Sequence, residues 1–270
     1  MIDIINDIKW KYLIILDACR YDCFAKLYRE YFDESMIISF AKLKTYARDT
    51  REWLHKTFDG KYYNEIVYIS ANPLINSKGI LPKKRPFDAR EHFFRVIDVW
   101  DYGWKDGTVP PDEVNKTVFV AKDIYKDKRF IVHYVQPHEP YVSYDNTYSP
   151  QQLFGFYSDL KTKLNNILLK FISHETLWTF LKKYPIIKTT WGMRKIWENG
   201  GREAIREAYE SNLRYVLSYV SKLVRHLKGI KVITADHGEL LGEGGYYGHH
   251  PSYPPKLQEI VYQVPLLVIK

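Results

Sequence analysis

Chemistry in this 270-residue chain is concentrated in a few acids and imidazoles at the ends of apolar runs. Tyr12–Leu16 stops on Asp17, and Ile230–Ala235 stops on Asp236-His237-Gly238-Glu239. Between them, Arg129–Val135 leads into Gln136-Pro137-His138-Glu139-Pro140-Tyr141, and a later Gly- and Pro-rich stretch carries His249 and His250. A carboxylate and an imidazole both suit Zn²⁺ and Mn²⁺, so these groups are candidates to converge on one divalent cation. Taken singly, an Asp after a strand is more often a helix cap, and a loop His is more often a surface residue. The adjacent Asp236-His237 pair is the more specific signal, with Gly238 expected to let the backbone turn sharply.

Such groups act together only if the elements beneath them converge. Strands are predicted over Lys11–Asp17, Glu65–Ser70, Arg95–Trp100, Arg129–Val135, Ile230–Ala235 and Val261–Ile269, with a further apolar run at Met36–Phe40. Helices are predicted from Arg20 to Tyr31, over Thr50–Phe58, and from Pro110-Pro111-Asp112-Glu113 onward, where prolines and acids suit a first turn. Gln152–Phe171, Glu175–Tyr184 and Arg194–Lys228 read as a mostly helical block, and Gly242–Pro255 as a loop. Strands alternating with helices predict a single α/β domain around a largely parallel sheet, with the block at about 151–228 inserted as a lid or second layer. In such a sheet functional groups gather at the carboxyl ends of the strands, where Asp17, His138 and Asp236 fall.

Three segments together resemble the alkaline phosphatase superfamily, and most of all its sulfatase-like branch. They are Leu13 through Asp22, Gln136 through Tyr141, and Thr234 through His249, in the family's order and across nearly the whole chain. The resemblance implies a three-layer α/β/α sandwich around a mixed, mostly parallel sheet, and metal-assisted attack on a phosphate or sulfate ester. It maps Asp17, Asp236 and His237 onto metal ligands. His138 and His249 fall on positions that bind a second metal or the substrate's non-bridging oxygens, with His250 as the alternative to His249. No Cys/Ser-x-Pro-x-Arg motif for a formylglycine is present, so the implied nucleophile is an unmodified hydroxyl that also reaches the metal. Thr50, opening a predicted helix, fits that place, because unpaired N–H groups and the helix dipole stabilise an oxyanion there. Simple capping by Thr50 or Asp49 is the structural alternative, and Thr45 is the fallback nucleophile. Arg48 and Arg51 flank Thr50 and are candidate clamps for the anion. The further Asp and His of two-metal relatives have no counterpart at ligand-like spacing, which favours one ion (Zn, Mn, Mg or Ca) over two. The C-terminal subdomain common in sulfatases is not expected here, which would leave a more open pocket. The implied activity is hydrolysis of phosphate or sulfate esters through a covalent intermediate. Transfer of a phosphoryl headgroup and non-catalytic anion binding are the alternatives.

Composition narrows the partners. With 46% hydrophobic and 27% charged residues the chain is globular, and no apolar run approaches the roughly 20 residues of a membrane span. The acidic N-terminus lacks a signal peptide's basic region, so a cytoplasmic location is expected, with contact at a membrane surface allowed. Cys19 and Cys23 are too few for a disulfide framework. The net charge of +8 lies entirely in residues 151–228, which hold 14 Lys and Arg against 6 Asp and Glu. That block favours an anionic ester substrate, a membrane surface or another polyanion, while no specific nucleic-acid motif is present.

Overall fold

The structure, a computed structural model, describes residues 3–82, 85–144, 172–183, 192–250 and 253–270. Strand β1 (Tyr12–Leu16) is buried at every position, because it lies inside a sheet covered on both faces. After it come α1 (Tyr21–Leu27), β2 (Ile37–Lys44), α2 (Thr50–Phe58), β3 (Tyr63–Ser70), β4 (Phe93–Asp98), α3 (Val99–Gly103), α4 (Pro111–Ile124) and β5 (Arg129–Tyr134). The chain continues through α5 (His174–Lys183), α6 (Gly192–Arg225), β6 (Lys231–Thr234), β7 (Leu240–Leu241), β8 (Tyr247–Gly248), α7 (Pro255–Val261) and β9 (Gln263–Ile269). The seven-stranded sheet runs β2-β9-β6-β1-β5-β3-β4. Strands β6, β1, β5, β3 and β4 are mutually parallel, and β9 is antiparallel to both β6 and β2. The sheet is therefore mixed and mostly parallel, as the resemblance implies.

Neighbouring residues of β5 show the layers. Tyr134 gives its hydroxyl to Asn115 of α4, whereas the ring of His133 meets Trp53 of α2 edge-on. Successive side chains of a strand point to opposite faces, so α4 and α2 cover opposite sides of the sheet. Leu213, Val216, Val220 and Leu223 of α6 belong to the main core, so this half of the predicted insertion is part of the helical layer. Its other half joins α5 and Tyr141 in a second core around Trp178, Ile205 and Tyr209. The change from one core to the other falls between Tyr209 and Leu213, while Gly201, with φ of 68°, breaks the helix within the second core's half. Predicted segment Gln152–Phe171 lies outside the described residues.

Several boundaries differ from the sequence expectation. The helix after Arg20 ends at Leu27 and tightens into a 3₁₀ turn, Tyr28–Glu30. Val99 and Trp100 start α3 instead of ending β4, and Pro255–Val261 is helical before β9 begins. The stretch from Gly242 holds a 3₁₀ turn and the return strand β8 of a small hairpin with β7.

Candidate active site

Register brings the strand ends level. Ile15 pairs with Thr234 on one side and His133 on the other, so Asp17 and Asp236, each two residues further on, emerge side by side. Ala18 then adopts φ 57°, and its N–H donates to Asp236 Oδ1 at 3.2 Å. The His237 N–H donates to the same oxygen at 2.9 Å. Asp17 Oδ2 accepts from Asn72 Nδ2 at 2.8 Å. Each carboxylate thus has one oxygen held by the chain and the other facing inward. Gly238 is needed for space instead of a positive φ: a Cβ there would lie 3.1 Å from the carbonyl oxygens of both Ile260 and Val261.

The inward atoms form a closed set. His237 Nε2 lies 3.6 Å from Asp17 Oδ1 and 3.5 Å from Asp236 Oδ2. Ligands about 2.0–2.2 Å from a tetrahedral ion sit at roughly this mutual spacing. The other imidazole nitrogen, Nδ1, donates to the Gly238 carbonyl at 2.9 Å, which leaves the Nε2 lone pair to face the acids. Asp17 Oδ1 and His237 Nε2 are buried without a hydrogen-bond partner among the described residues. Two buried lone-pair donors around one point, with no proton between them, fit a divalent cation. Burial by itself would raise the Asp17 pKa, but the imidazoles of His133, His138 and His237 hold it well below the usual carboxylate range.

Thr50 stands over this set. Asp49 is the cap of α2, accepting from the Glu52 N–H at 2.8 Å, so Thr50 is not needed as the cap. Its Oγ1 instead donates to Asp236 Oδ2 at 2.7 Å. Thr45 gives its hydroxyl to the Asp236 carbonyl at 2.6 Å and holds the backbone. The two arginines beside Thr50 diverge: Arg48 pairs with Glu52 at 3.0 Å, while Arg51 lines a cavity of about 340 Å³ above the site.

A second set, His138, Glu239 and His249, lies between the first and that cavity. His249 is 4.3 Å from the His237 ring and 5.3 Å from the His138 ring, with Nδ1 3.4 Å from Glu239 Oε1. His250 lines the cavity beside Tyr253. His138 Nδ1 donates to the Glu139 carbonyl at 2.6 Å, which directs Nε2 away from that loop. Burial would lower the His138 pKa, yet Asp17, Glu239 and Glu139 push it up to about 9. Both Glu239 oxygens are buried without a hydrogen-bond partner among the described residues.

Helix α6 holds this outer set in place. Asn212 Nδ2 donates to the carbonyls of Pro137, His138 and Pro140 at 3.1–3.3 Å, and its Oδ1 accepts from the Val142 N–H at 3.0 Å. Tyr209 donates to the Ala18 carbonyl at 2.8 Å and accepts from the Arg20 N–H at 2.9 Å. Buried Arg20 then ties the end of β1 to the hairpin carrying His249, through Glu243 Oε1 at 2.7 Å and the Glu239 carbonyl at 3.2 Å.

Sequence reading misses His133, Asn72, Tyr209 and Asn212, and assigns Glu239 no role. His133 sits inside an apolar strand, and the other three act through contacts more than 50 residues away. Only the unusual imidazole within Arg129–Val135 offered a signal. Of the basic block, 151–171 and 184–191 lie outside the described residues, as do the side chains of Lys182, Lys183 and Lys188.

A buried cluster of acids and imidazoles thus lies at the carboxyl edge of a mixed sheet, under a threonine at a helix start, within an α/β/α fold that solved structures share. No family model matches the chain, and no curated protein matches it. Among solved structures, the soluble domain of lipooligosaccharide phosphoethanolamine transferase A from Neisseria meningitidis superposes with TM-score 0.54 at 15% identity, over 96% of this chain and 75% of that one. The integral membrane form of that protein gives 0.55 at 14% identity over 96% of this chain, which spans 47% of its length. The C-terminal periplasmic domain of EcEptC from Escherichia coli, in complex with zinc, gives 0.51 at 11% identity over 96% and 72% of the two chains. These likenesses are in the fold. Because the last is a periplasmic domain, the fold by itself carries no cytoplasmic signature. No helix among the described residues is long and apolar enough to cross a membrane.

Proposed function

We propose that this chain is a metal-dependent enzyme that cleaves phosphate or sulfate esters, with Thr50 as nucleophile. One observation carries the reading: the Thr50 hydroxyl lies 2.7 Å from Asp236 Oδ2, beside the orphaned Asp17 Oδ1 and His237 Nε2. Asp17, Asp236, His237 and Thr50 are the residues that would hold the ion. Their oxygen and nitrogen donors suit Zn²⁺ or Mn²⁺ better than Mg²⁺ or Ca²⁺. Bound there, a divalent cation supplies Lewis-acid polarisation and lowers the pKa of a coordinated hydroxyl.

The chain's own groups supply the remaining steps. Asp236 Oδ2 takes the Thr50 proton as Oγ1 attacks phosphorus or sulfur, and the bond to the leaving oxygen breaks opposite it. Arg51 and the N-terminus of α2 neutralise the equatorial oxygens. His138, protonated at neutral pH, donates to the departing oxygen. Water then attacks the Thr50 ester, frees phosphate or sulfate, and returns the hydroxyl.

Transfer to an acceptor hydroxyl instead of water is the second reading. Acids Asp49 and Glu139 line the cavity beyond the cluster, where a cationic headgroup would sit. The structures that share the fold include a lipooligosaccharide phosphoethanolamine transferase, which accords with it. Anionic contact through residues 151–228, at a membrane surface or with a polyanion, belongs to either reading, as does a cytoplasmic setting.

Steady-state assays of aryl phosphate, phosphodiester and sulfate esters, with and without an alcohol acceptor, combined with intact-mass analysis of quenched enzyme, test this. The expected result is metal-dependent turnover and a covalent adduct on the Thr50 peptide, both absent in Thr50→Ala. Turnover of Thr50→Ala near the native rate overturns the nucleophile. Product carried on the added alcohol selects transfer over hydrolysis.

A further inference from the structure

One buried pair faces the reaction centre from below and has no part in the steps above. His133 lies fully buried inside β5, with Nε2 3.7 Å from Asp17 Oδ2 and 4.0 Å from Asp236 Oδ2. That nitrogen has no hydrogen-bond partner among the described residues. On the other side of the ring, the Tyr68 hydroxyl from β3 lies 2.7 Å from Nδ1. Parallel register sets His133 level with Ile15 and with Ser70, so its ring emerges just short of Asp17.

Proton inventory decides which nitrogen carries the hydrogen. Tyr68 has one hydroxyl proton, and among the described residues His133 Nδ1 is its acceptor. Burial, with the charges of Asp236 and Asp17, pushes the Tyr68 phenol well above its usual value, so it remains a donor. A neutral imidazole that accepts at Nδ1 bears its hydrogen on Nε2 and has no lone pair there for a metal. The Nε2–H therefore faces two carboxylate oxygens, at a range that is an oriented charge–dipole attraction instead of a short hydrogen bond. Asn72 holds the same oxygen of Asp17, so Oδ1 stays turned toward His237.

We propose that Tyr68 and His133 are a positioning pair, with Tyr68 fixing the tautomer by which His133 orients Asp17 and Asp236 as metal ligands from the outer shell. This rests on the metal reading of Asp17, Asp236 and His237. Outer-shell partners of this kind are worth about 10–100-fold in metal affinity.

Zinc titrated into the metal-stripped full chain against a chromophoric chelator tests the pair, with His133→Leu, His133→Gln and Tyr68→Phe as variants. Expected is a loss of about 10–100-fold in zinc affinity for His133→Leu and about 10-fold for Tyr68→Phe. His133→Gln, whose side-chain N–H reaches toward the same oxygens, recovers most of the affinity at a melting temperature matching His133→Leu. The visible spectrum of the cobalt-loaded chain stays native in His133→Gln, because no ligand is lost. Affinity of both His133→Leu and Tyr68→Phe within about twofold of native overturns the proposal. So does a Gln variant as weak as Leu with an altered cobalt spectrum, which makes His133 a ligand. Should His133→Leu fail to fold, Tyr68→Phe removes a single oxygen and decides alone. A native chain that takes up neither zinc nor cobalt overturns the metal reading itself, a result distinct from the other two.

Discussion

The inner set, Asp17, Asp236 and His237, and the outer set, His138, Glu239 and His249, differ in what carries them. The inner side chains are at most 1% exposed and hang from the ends of parallel strands, positioned by ladder register. Outer His249 is 25% exposed and rides on a hairpin, while His138 rides on a loop between two prolines. Strand ends are rigid because many neighbours must shift before they can, whereas a loop keeps its shape only while a few hydrogen bonds hold it. An ion needs donors fixed before it arrives; a substrate needs donors that meet it from an open side. The inner set has the first character and the outer set the second.

Breaking the inner set should have the largest effect. Asp236→Asn is expected to lose more than the roughly 10–100-fold in metal affinity that an outer-shell partner costs, and to lose turnover with it. Metal analysis after stringent dialysis checks this, and native metal content in the variant removes Asp236 from the ligand set. His138→Gln should leave metal content unchanged yet cut kcat by about 10²–10⁴ on alkyl esters, with less loss on esters of acidic phenols. His138 is held near 9, so its proton is present at neutral pH and lost as pH rises through that value. The native kcat/KM should therefore fall on that alkaline limb, and the limb should vanish in the variant. A limb that persists in His138→Gln assigns the proton to another group.

Asn212→Ala sharpens the contrast, because the side-chain hydrogen bonds of Asn212 among the described residues go to the outer loop. It removes the donor shared by three carbonyls and is expected to destabilise the fold by about 1–3 kcal/mol. A resulting misplacement of His138 should lower kcat about 10-fold, within the range seen for 1 Å displacements, without changing metal affinity. An equal fall in metal affinity shows that the two sets are one cooperative unit. The smallest effect concerns the basic block. Lys182, Lys183 and Lys188 changed together to Glu should lower kcat/KM for polyanionic substrates a few-fold at ionic strength near 0.1 M, where the Debye length is about 10 Å. The difference should close near 1 M, with kcat unchanged. An unchanged kcat/KM with weakened binding to anionic vesicles shifts the block's role to the membrane surface.

What the sequence alone determined follows from local rules. Apolar runs that stop on an acid marked β1 and β6, and Thr50–Phe58 is the helix its pattern predicts. Asp17, Asp236, His237 and His138 were legible because a carboxylate or imidazole just past a strand, or between two prolines, departs from its surroundings. Only the tertiary structure decided which of Asp49 and Thr50 caps α2, which of His249 and His250 faces Glu239, and why Gly238 has no side chain. Those choices depend on where a hydroxyl, a ring or a carbonyl from a distant segment comes to lie, and no spacing along the chain records that. His133 is the clearest case. A histidine within Arg129–Val135 reads as one more residue of a strand, and becomes a neighbour of both acids only when parallel register aligns it with Ile15 and Ser70. Periodicity reports which face a residue takes; register between strands, set by the packing of the whole core, reports what it meets there.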